Sequence, residues 1–595
     1  MARAFPYIVE GRSARTHASA RTYAGAAVAA GVVVLVVVLR FGGAIKPEIP
    51  GLPTAGPLTE WGLPLARFCY DLCAVGCVGT LTAALLAPAS SPESLACRRA
   101  AGRWALGWAL ATALSYVLTL SNLIPLPVGA LFASPDMLEF GVSIPQTQAL
   151  LLVLAVTAVL GVSRRLPAGL RLAVAVFGLL PPAYVGHAAS AGDHDIAVSA
   201  LMSHLVSVSV WVGGLVAVLV HFRRSADLPA VLSRFSALAL CCFAAVAVSG
   251  AASAWVRLSD PSDLWQSTYG QLLLAKTATL VVLGLFGWTH RRRTVAGVAD
   301  RTVRGTFVRL ATGEVIVMAA AVGLAIGLSR TPPPPGGGGG HDQAALDYAL
   351  APFTPGALLT EVRLDPTVLL LLILPAVAYA VSVRRTAAWP AGRMVAWYAG
   401  LALTALVLLG GVGSYARAML SVHAVQHTVL TVVAPLLLCL GAPVALAGRH
   451  RLLAHPAVYF AAFVLLYGTP WLSWSLSGYA PHLVTELLSF GLGLLVFGVL
   501  TGTDPATWGE RARLLAAVTL THLAVGTYLL LASPVAADWI SLAAPPGAPG
   551  VLADQRLAGA VVMLLPLPAL VLLAVRMAAG RAADRGSAVL ARDGR

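Results

Sequence analysis

The sequence predicts an all-α membrane protein that crosses a lipid bilayer many times. Of its 595 residues, 58% are hydrophobic and only 11% are charged, and the mean hydropathy is +0.82. Soluble domains carry about 25% charged residues, so this composition excludes the soluble globular classes. Apolar runs of about 20 residues, the length that a helix needs to cross the hydrocarbon core, recur along the whole chain.

Sixteen apolar runs meet this length criterion, nine before and seven after a break in the middle of the chain. The predicted spanning helices are 23–41, 61–87, 103–122, 146–163, 170–188, 199–221, 232–255, 270–289, 306–328, 366–383, 393–411, 419–441, 456–473, 482–501, 513–533 and 554–577. No convincing small-residue cleavage site follows the first run, so we interpret it as an uncleaved membrane helix.

The basic residues support this number of helices. The chain has 40 lysines and arginines and a net charge of +15, and most of these residues fall in every second predicted loop. The positive-inside rule therefore predicts a multi-pass protein with both termini in the cytoplasm. The arginines act as topology determinants of a protein embedded in a lipid bilayer, which argues against nucleic-acid binding.

A segment rich in proline and glycine divides the chain. Residues 331–340 read TPPPPGGGGG, a short stiff rod followed by a flexible joint. We predict a first membrane domain at 1–330, an external linker at 331–365, a second membrane domain at 366–580 and a cytoplasmic tail at 581–595.

The most informative run of the second domain reads MLSVHAVQHTVLTVVAPLLLCLGAP from Met419 to Pro443. His423 and His427 are four residues apart, which places them on one helical face, and Met419 precedes His423 by the same interval. Ionisable residues in lipid are functional candidates by default. Imidazole and thioether together suit a soft or borderline metal such as copper. The alternative is that neighbouring helices satisfy both histidines.

Further polar residues are predicted at a similar depth near the outer side: His482 and Glu486 on one helix, and Asp554 with Gln555 on the last. These side chains together favour copper, as Cu(I), over Mg²⁺ or Ca²⁺, which take oxygen ligands. Alternatively Glu486 pairs with His482, and Asp554 caps its own helix. Haem is the runner-up, with His427 and either His482 or the deeper His522 as axial ligands.

A second candidate site lies in the first domain, at a predicted external hairpin. His187, His194, Met202 and His204 lie close together in the sequence, with aspartates on both sides of His194. One hypothesis is a metal entry site at the outer surface. The other is a solvated polar loop and one packed histidine.

Two further patterns lie on the second predicted span. Cys69, Cys73 and Cys77 recur every four residues, which indicates either a Cu(I) relay or, with more weight, close packing by small side chains. Arg67 and Asp71 are predicted to pair with each other.

The first domain resembles the CopD family of copper-resistance membrane proteins over residues 145–328. The matching features are GHA at His187, the pattern from His204 to Trp211-Val-Gly-Gly, Ser249-Gly250, and YGQLLLAK ending at Lys276. The resemblance implies copper handling or uptake. This chain departs from the family where an Asn-Arg pair is usual, because it has Thr289, His290 and Arg291 there. We assign no role to Lys276.

The second domain resembles the polytopic CtaG family of cytochrome c oxidase assembly factors over residues 370–578. The matching features are the Met419–Pro443 run, His455-Pro456, Gly468-Thr469-Pro470 with Trp471, the helices of His482 and His522, and DQRLAGAVVM from Asp554. Two departures are Glu486 for a usual histidine and Leu564 for a usual tryptophan. The resemblance implies copper supply to a haem–copper oxidase in a bacterial plasma membrane.

The resulting hypothesis is a copper-handling protein and not an enzyme. The chain has neither a GxxxxGK[ST] nucleotide loop nor an aspartyl-phosphate motif, which argues against ATP-driven pumping. The expected partner is the catalytic subunit of the oxidase or its copper chaperones. The remaining alternatives are a haem-binding redox protein and a metal-free assembly scaffold.

Overall fold

A computed structural model describes most of the chain, in two compact units, Met1–Gly340 and His341–Arg595. The described residues are 7–45, 51–163, 165–185, 193–295, 297–334, 346, 348, 350–386, 388–442, 455–502 and 506–593. Helices dominate both units, and this part of the chain contains no β-strand. The predicted all-α membrane fold is therefore confirmed.

The first unit contains thirteen described α-helices and one π-helical turn. They are α1 Tyr7–Phe41, α2 Pro57–Leu86, α3 Pro92–Leu123, α4 Val128–Phe132, α5 Pro135–Ser143, α6 Pro145–Val162, α7 Ala168–Leu179, α8 Pro181–Tyr184, α9 His194–Ala217 with the π turn Val218–Phe222, α10 Leu228–Trp255, α11 Asp263–Gln266, α12 Thr268–Arg293 and α13 Arg301–Leu328.

The second unit contains the same number of described α-helices, again with one π-helical turn. They are α14 Ala357–Thr360, α15 Pro366–Arg384, α16 Ala391–Leu409, α17 Gly411–Tyr415, α18 Leu420–Thr428 with the π turn Val429–Val433, α19 Ala434–Gly441, α20 Pro456–Gly468, α21 Trp471–Leu476, α22 Tyr479–Thr501, α23 Trp508–Leu531, α24 Ala537–Ala543, α25 Val551–Leu564 and α26 Leu567–Asp593.

Among the described residues, 14 helices are long and apolar enough to cross a membrane. They correspond to fourteen of the sixteen predicted spans. The other two predictions, 170–188 and 456–473, correspond to the shorter apolar helices Ala168–Tyr184 and Pro456–Gly468. The number of sixteen and the cytoplasmic location of both termini stay predictions.

In the first unit, α2 packs against both α3 and α9. The crossing with α9 is unusually close at Gly79 and Gly213: a Cβ on Gly213 would lie 2.1 Å from the carbonyl oxygen of Val75 and 2.8 Å from the Cα of Gly79. Small residues allow membrane helices to approach to backbone contact. The Trp211-Val-Gly-Gly pattern of the sequence is thus explained by helix packing.

We expect Gly213→Ala to destabilise the protein by about 1–3 kcal/mol, because the new methyl group would push two backbones apart. Gly102→Ala is the matched control: it lies inside α3 and a Cβ there meets nothing within 4 Å. Thermal unfolding in detergent should show a lower Tm for Gly213→Ala alone. Equal Tm values for both variants would contradict the close crossing.

Asp300 fixes the start of α13. Its side chain accepts hydrogen bonds from the backbone N–H groups of Thr302 and Val303, at 2.7 and 3.2 Å. These bonds hold the pKa of the Asp300 carboxyl below its ordinary value. The cap therefore stabilises the helix fully above the ordinary carboxyl pKa, and this contribution is lost as the pH falls through the lowered pKa.

In the second unit, a π-helical turn joins α18 to α19 within one span, Leu420–Gly441. Pro435 lacks the N–H that would bond to the carbonyl of Thr431 in an α-helix, and its ring would clash there, which explains the local change of pitch. Gly493 of α22 lies against this turn, because a Cβ on it would come within 2.5 Å of the Thr431 carbonyl oxygen. The two spans are therefore in backbone contact.

The later part of the predicted linker packs on the second unit. Tyr348 donates a hydrogen bond to the carbonyl oxygen of Ser414 at 2.6 Å. The N–H of Phe353 donates to the carbonyl oxygen of Pro546 at 2.7 Å, and its ring packs edge-on against Tyr415. The division between the two units falls inside the 331–365 segment.

Candidate metal centre

Three ionisable side chains converge in the interior of the second unit. His423 and His427 project from α18 and Glu486 from α22, with exposed fractions of 0%, 2% and 1%. One ligand atom from each lies within 4.8 Å of the others. Within the described part of the chain, no other three His, Cys, Asp or Glu side chains meet this criterion.

The position of Glu486 follows from the close approach at Gly493. The two residues are seven apart on α22, two helical turns, so they share one face. Because Gly493 brings that face into contact with the π turn after His427, the carboxylate reaches the histidines. Its Oε1 lies 3.8 Å from Nδ1 of His423.

His482, one turn before Glu486, is the fourth member of the cluster. Its ring centroid lies 5.7 Å from that of His423, and its Nε2 lies 2.9 Å from Oε1 of Gln426. The Nε2 of Gln426 donates to the carbonyl oxygen of Val407 at 2.9 Å, which fixes the orientation of the amide. Nε2 of His482 must therefore carry the proton, and Nδ1 keeps a free lone pair.

Seven polar atoms of this cluster are buried without a hydrogen-bond partner. They are both ring nitrogens of His423 and His427, both carboxylate oxygens of Glu486, and Nδ1 of His482. Each unsatisfied buried group costs about 1–3 kcal/mol. Each neutral imidazole offers one nitrogen lone pair and the carboxylate offers two oxygens, so a cation among them would satisfy several of these atoms at once. The donor set therefore fits a bound metal ion.

Aromatic side chains of α20 line one side of the cluster. Tyr459, Phe463 and Tyr467 recur every four residues on α20, and the rings of Phe463 and Tyr467 pack on His427 at centroid distances of 4.9 and 5.7 Å. The hydroxyl of Tyr467 is also buried and unpaired. Sequence reasoning missed this residue, although the aromatic repeat would have indicated a helix face turned to the interior.

Gln426 is a positioning residue in this arrangement, and it was also missed. We expect Gln426→Leu to weaken metal binding about 10–100-fold, the usual effect of losing an outer-shell partner, because His482 would no longer be held with Nδ1 free. Gln271→Leu, on the exposed start of α12, is the control. Competition with a chelator measures both affinities. An unchanged affinity in Gln426→Leu would contradict the assigned role.

Asp554 lies outside the cluster and holds the start of α18. Its carboxylate accepts hydrogen bonds from the backbone N–H groups of Leu420 and Ser421, at 2.6 and 3.3 Å, and from the hydroxyl of Ser421. It thus caps the histidine helix, and not its own helix as the sequence alternative proposed. Gln555 bonds to the segment after α23, accepting from the N–H of Val535 at 2.7 Å.

Met419 and His522 also lie apart from the unpaired atoms. Met419 precedes α18 with an extended backbone, so the expected helical face does not include it, and its side chain belongs to a buried apolar cluster with Val422 and Leu430. The two nitrogens of His522 are bonded to the hydroxyl of Tyr459 and the carbonyl oxygen of Val562. Metal ligation by Met419 or Asp554 stays a prediction.

The predicted metal ligands of the first unit do not lie close together in the part of the chain that the structure describes. His194 and His204 are ten residues apart on α9, which separates them by about 15 Å along the helix, and Met202 faces a different side from His204. Nδ1 of His204 is bonded to Ser249 at 3.1 Å. His187 lies outside the described residues, and a metal role for any of the four stays a prediction.

The cysteine stripe of α2 packs against α3. Cys77 lies 3.6 Å from the carbonyl oxygen of Ala101, and a Cβ on Gly107 would meet the sulphur of Cys73 at 3.0 Å. These contacts favour the packing interpretation. The predicted pair is present, with Nε of Arg67 lying 3.3 Å from Oδ1 of Asp71.

Two family models match separate parts of the chain. The model described as Copper resistance protein D (CopD) matches residues 229–328, and that described as Cytochrome c oxidase caa3 assembly factor (Caa3_CtaG) matches residues 377–582. One chain carries both matches, consistent with a fusion of the two domains. Both resemblances seen in the sequence are thus confirmed. The CopD match begins after the His204 hairpin, whereas the CtaG match contains the whole four-residue cluster.

Several curated proteins are similar over part of the chain. Uncharacterized proteins of Mycobacterium bovis and Mycobacterium tuberculosis are each 29% identical over 248 residues, which is 35% of this chain and 38% of their own length. The copper transport protein CutJ of Bacillus subtilis is 29% identical over 157 residues, 24% of this chain and 28% of its own length. No solved structure matches. The chain therefore spans well under half of these relatives.

Proposed function

We propose that the CtaG unit binds copper as a transferable cargo and supplies it for assembly of a haem–copper cytochrome c oxidase. The ligands are His423, His427, Nδ1 of His482, and Glu486. The observation that carries this proposal is the set of seven buried polar atoms without a partner, among which each neutral imidazole offers one lone pair and the Glu486 carboxylate offers two oxygens. A protein interior retains such a cluster at a cost in stability, which indicates a functional site.

Charge and donor type favour Cu(I) as the cargo. One carboxylate and three neutral imidazoles give the cluster a formal charge of −1 when Glu486 is ionised. A monovalent cation makes the buried assembly neutral, whereas a divalent ion leaves a net positive charge in the membrane interior. Imidazole ligands suit copper, and Mg²⁺ and Ca²⁺ prefer oxygen donors.

The surroundings favour an ion over haem. A porphyrin needs a flat slot beside its axial histidines, but Phe463 and Tyr467 pack directly on His427. Phe463 also packs on His522 at 4.9 Å and so lies between the two histidines of one candidate axial pair. Both nitrogens of His522 are already hydrogen-bonded.

The CopD unit would move copper toward the same pathway. Support comes from the CopD match and from the similarity to the copper transport protein CutJ. In this proposal the chain resides in a bacterial plasma membrane with both termini in the cytoplasm. The recipient is the catalytic subunit of the oxidase or a copper chaperone that serves it, and the chain itself is not an enzyme.

A cellular experiment tests the proposal. In a host lacking this chain and grown at limiting copper, we expect the wild type to restore the copper content of the oxidase, and the His423→Ala/His427→Ala variant to fail. Added copper should rescue the variant. A variant that restores oxidase copper at the wild-type level would overturn copper supply and leave the metal-free scaffold.

A further inference from the structure

A tyrosine and a histidine form a buried hydrogen-bonded pair beside the proposed copper site. The hydroxyl of Tyr459, on α20, lies 3.0 Å from Nε2 of His522, on α23. The exposed fractions of the two residues are 0% and 1%. Neither side chain is a proposed copper ligand, so the function proposed above gives this pair no role.

The second nitrogen of His522 determines the direction of this hydrogen bond. Nδ1 lies 3.1 Å from the carbonyl oxygen of Val562, which can only accept, so Nδ1 carries a proton. Both hydrogen-bond partners of the ring are uncharged, and a buried imidazolium without a counter-charge is costly, so the ring is neutral. Nε2 therefore has a lone pair and accepts the hydrogen bond that the Tyr459 hydroxyl donates.

This arrangement gives the phenol of Tyr459 a base for its proton. A phenol that loses an electron becomes a strong acid, and its proton leaves most readily to an acceptor that is already hydrogen-bonded. Transfer to Nε2 of His522 leaves a neutral tyrosyl radical beside an imidazolium, whose Nδ1–H stays bonded to Val562. Tyr459 can therefore give up an electron without becoming a charged radical.

Tyr467 lacks such an acceptor, although it lies against the proposed ligands. Its ring centroid is 5.7 Å from that of His427, but its hydroxyl is buried without a hydrogen-bond partner among the residues that the structure describes. Oxidation of Tyr467 would leave the phenolic proton without a base. Of these two tyrosines of α20, Tyr459 is therefore the better electron donor.

A single phenylalanine connects the pair to a proposed copper ligand. The ring of Phe463 packs on that of His427 at a centroid distance of 4.9 Å. It also packs on the rings of Tyr459 and His522, at 5.0 and 4.9 Å. Phe463 is only 1% exposed, so these contacts lie in the interior. An electron that passes from Tyr459 to the metal site crosses one aromatic ring.

A protein that carries Cu(I) is exposed to damage by hydrogen peroxide. Peroxide takes up two electrons when its O–O bond breaks, but Cu(I) gives only one as it becomes Cu(II). If no second electron is supplied, the other product is a hydroxyl radical, which oxidises the nearest side chains. At this site those side chains are the ligand imidazoles.

We propose that Tyr459 and His522 supply the second electron and so protect the copper site from peroxide. In the overall step the O–O bond breaks, Cu(I) and Tyr459 give one electron each, and the phenolic proton moves to Nε2 of His522. The products are two hydroxide ions, Cu(II), a tyrosyl radical and an imidazolium. This inference rests on the proposed function, because bound Cu(I) is the other electron donor.

Freeze-quench electron paramagnetic resonance on the full chain in lipid nanodiscs tests the pair. The protein is loaded with Cu(I) without oxygen and mixed with one equivalent of hydrogen peroxide. We expect Cu(II) and tyrosyl-radical signals in equal amounts. Tyr459→Phe should keep the Cu(II) signal and lose the radical, and mass spectrometry should then find more oxidised His423 and His427. His522→Gln should lower the radical yield, because an amide is a weaker base than imidazole.

Tyr379→Phe is the matched control. Tyr379 is also buried, and its hydroxyl donates to the carbonyl oxygen of Gly441 at 3.0 Å, a group that does not take up a proton. This variant should form the radical as the wild type does. Electron–nuclear double resonance after exchange into deuterium oxide adds a test that needs no variant to fold: the wild-type radical should be coupled to a hydrogen-bonded deuteron.

The outcomes separate this inference from copper binding itself. A wild-type Cu(II) signal without a tyrosyl radical would overturn the redox pair and leave copper binding intact. A radical that persists in Tyr459→Phe, or one without a coupled deuteron, would do the same. A protein that retains no copper would overturn the proposed function and this inference with it.

Discussion

Replacing His423 and His427 together with alanine is expected to abolish stable copper binding by the purified protein. Two of the four proposed ligands would be lost, and His482 and Glu486 both project from α22, so only one side of the site would remain. The loss should exceed the 10–100-fold that removal of an outer-shell partner typically costs. Elemental analysis after loading with Cu(I) and desalting measures the stoichiometry.

His455→Ala is the matched control for this experiment. His455 is exposed at the start of α20, where Nδ1 accepts a hydrogen bond from the N–H of Ala457. It should retain the copper stoichiometry of the wild type. Equal copper in the double variant and the wild type would contradict the assignment of the centre.

The thermal stability of the His423→Ala/His427→Ala variant provides a second, independent test. Without copper we expect the double alanine variant to be about as stable as the wild type, because the loss of four buried unpaired nitrogens offsets the cost of the cavity that the two alanines leave. A hundredfold excess of ligand over its Kd stabilises a folded protein by about 2.7 kcal/mol. Copper should therefore raise the Tm of the wild type and leave that of the variant unchanged.

Asp554→Ala is expected to cause the largest loss of stability in the CtaG unit. The change would leave two backbone N–H groups and the hydroxyl of Ser421 without their acceptor in the interior. Unsatisfied buried donors cost about 1–3 kcal/mol each, and the start of α18 would also lose a favourable negative charge. We expect a loss of about 3–5 kcal/mol, measured by denaturant or thermal unfolding without copper.

The Asp554→Asn variant distinguishes a structural role of the Asp554 side chain from a role as a copper ligand. The amide oxygen still accepts from the start of α18, so we expect the variant to fold with a smaller loss of stability and to bind copper with the wild-type stoichiometry. Loss of copper from a folded Asp554→Asn variant would show that the carboxylate is a ligand, in conflict with its present hydrogen bonds.

The local pattern of the sequence determined the fold class of this protein and the helical face that the two histidines share. The composition and the length of the apolar runs specified an all-helical membrane fold, because lipid requires each spanning segment to satisfy its own backbone. The interval of four residues specified that His423 and His427 share a face. Several short motifs taken together, among them YGQLLLAK ending at Lys276 in the first domain and the Met419–Pro443 run in the second, were sufficient to recognise both families.

The tertiary structure decided which polar residues meet. A helical period states which side chains share a face, but it carries no information on the distance between faces of different helices. That distance was set by the contact of Gly493 with the π turn, which brought Glu486 to the histidines. The acceptor that Gln426 offers to His482 and the cap that Asp554 gives to α18 join residues far apart in sequence. Such contacts exist only after the helices pack, because hydrogen bonds require their partners within about 3 Å.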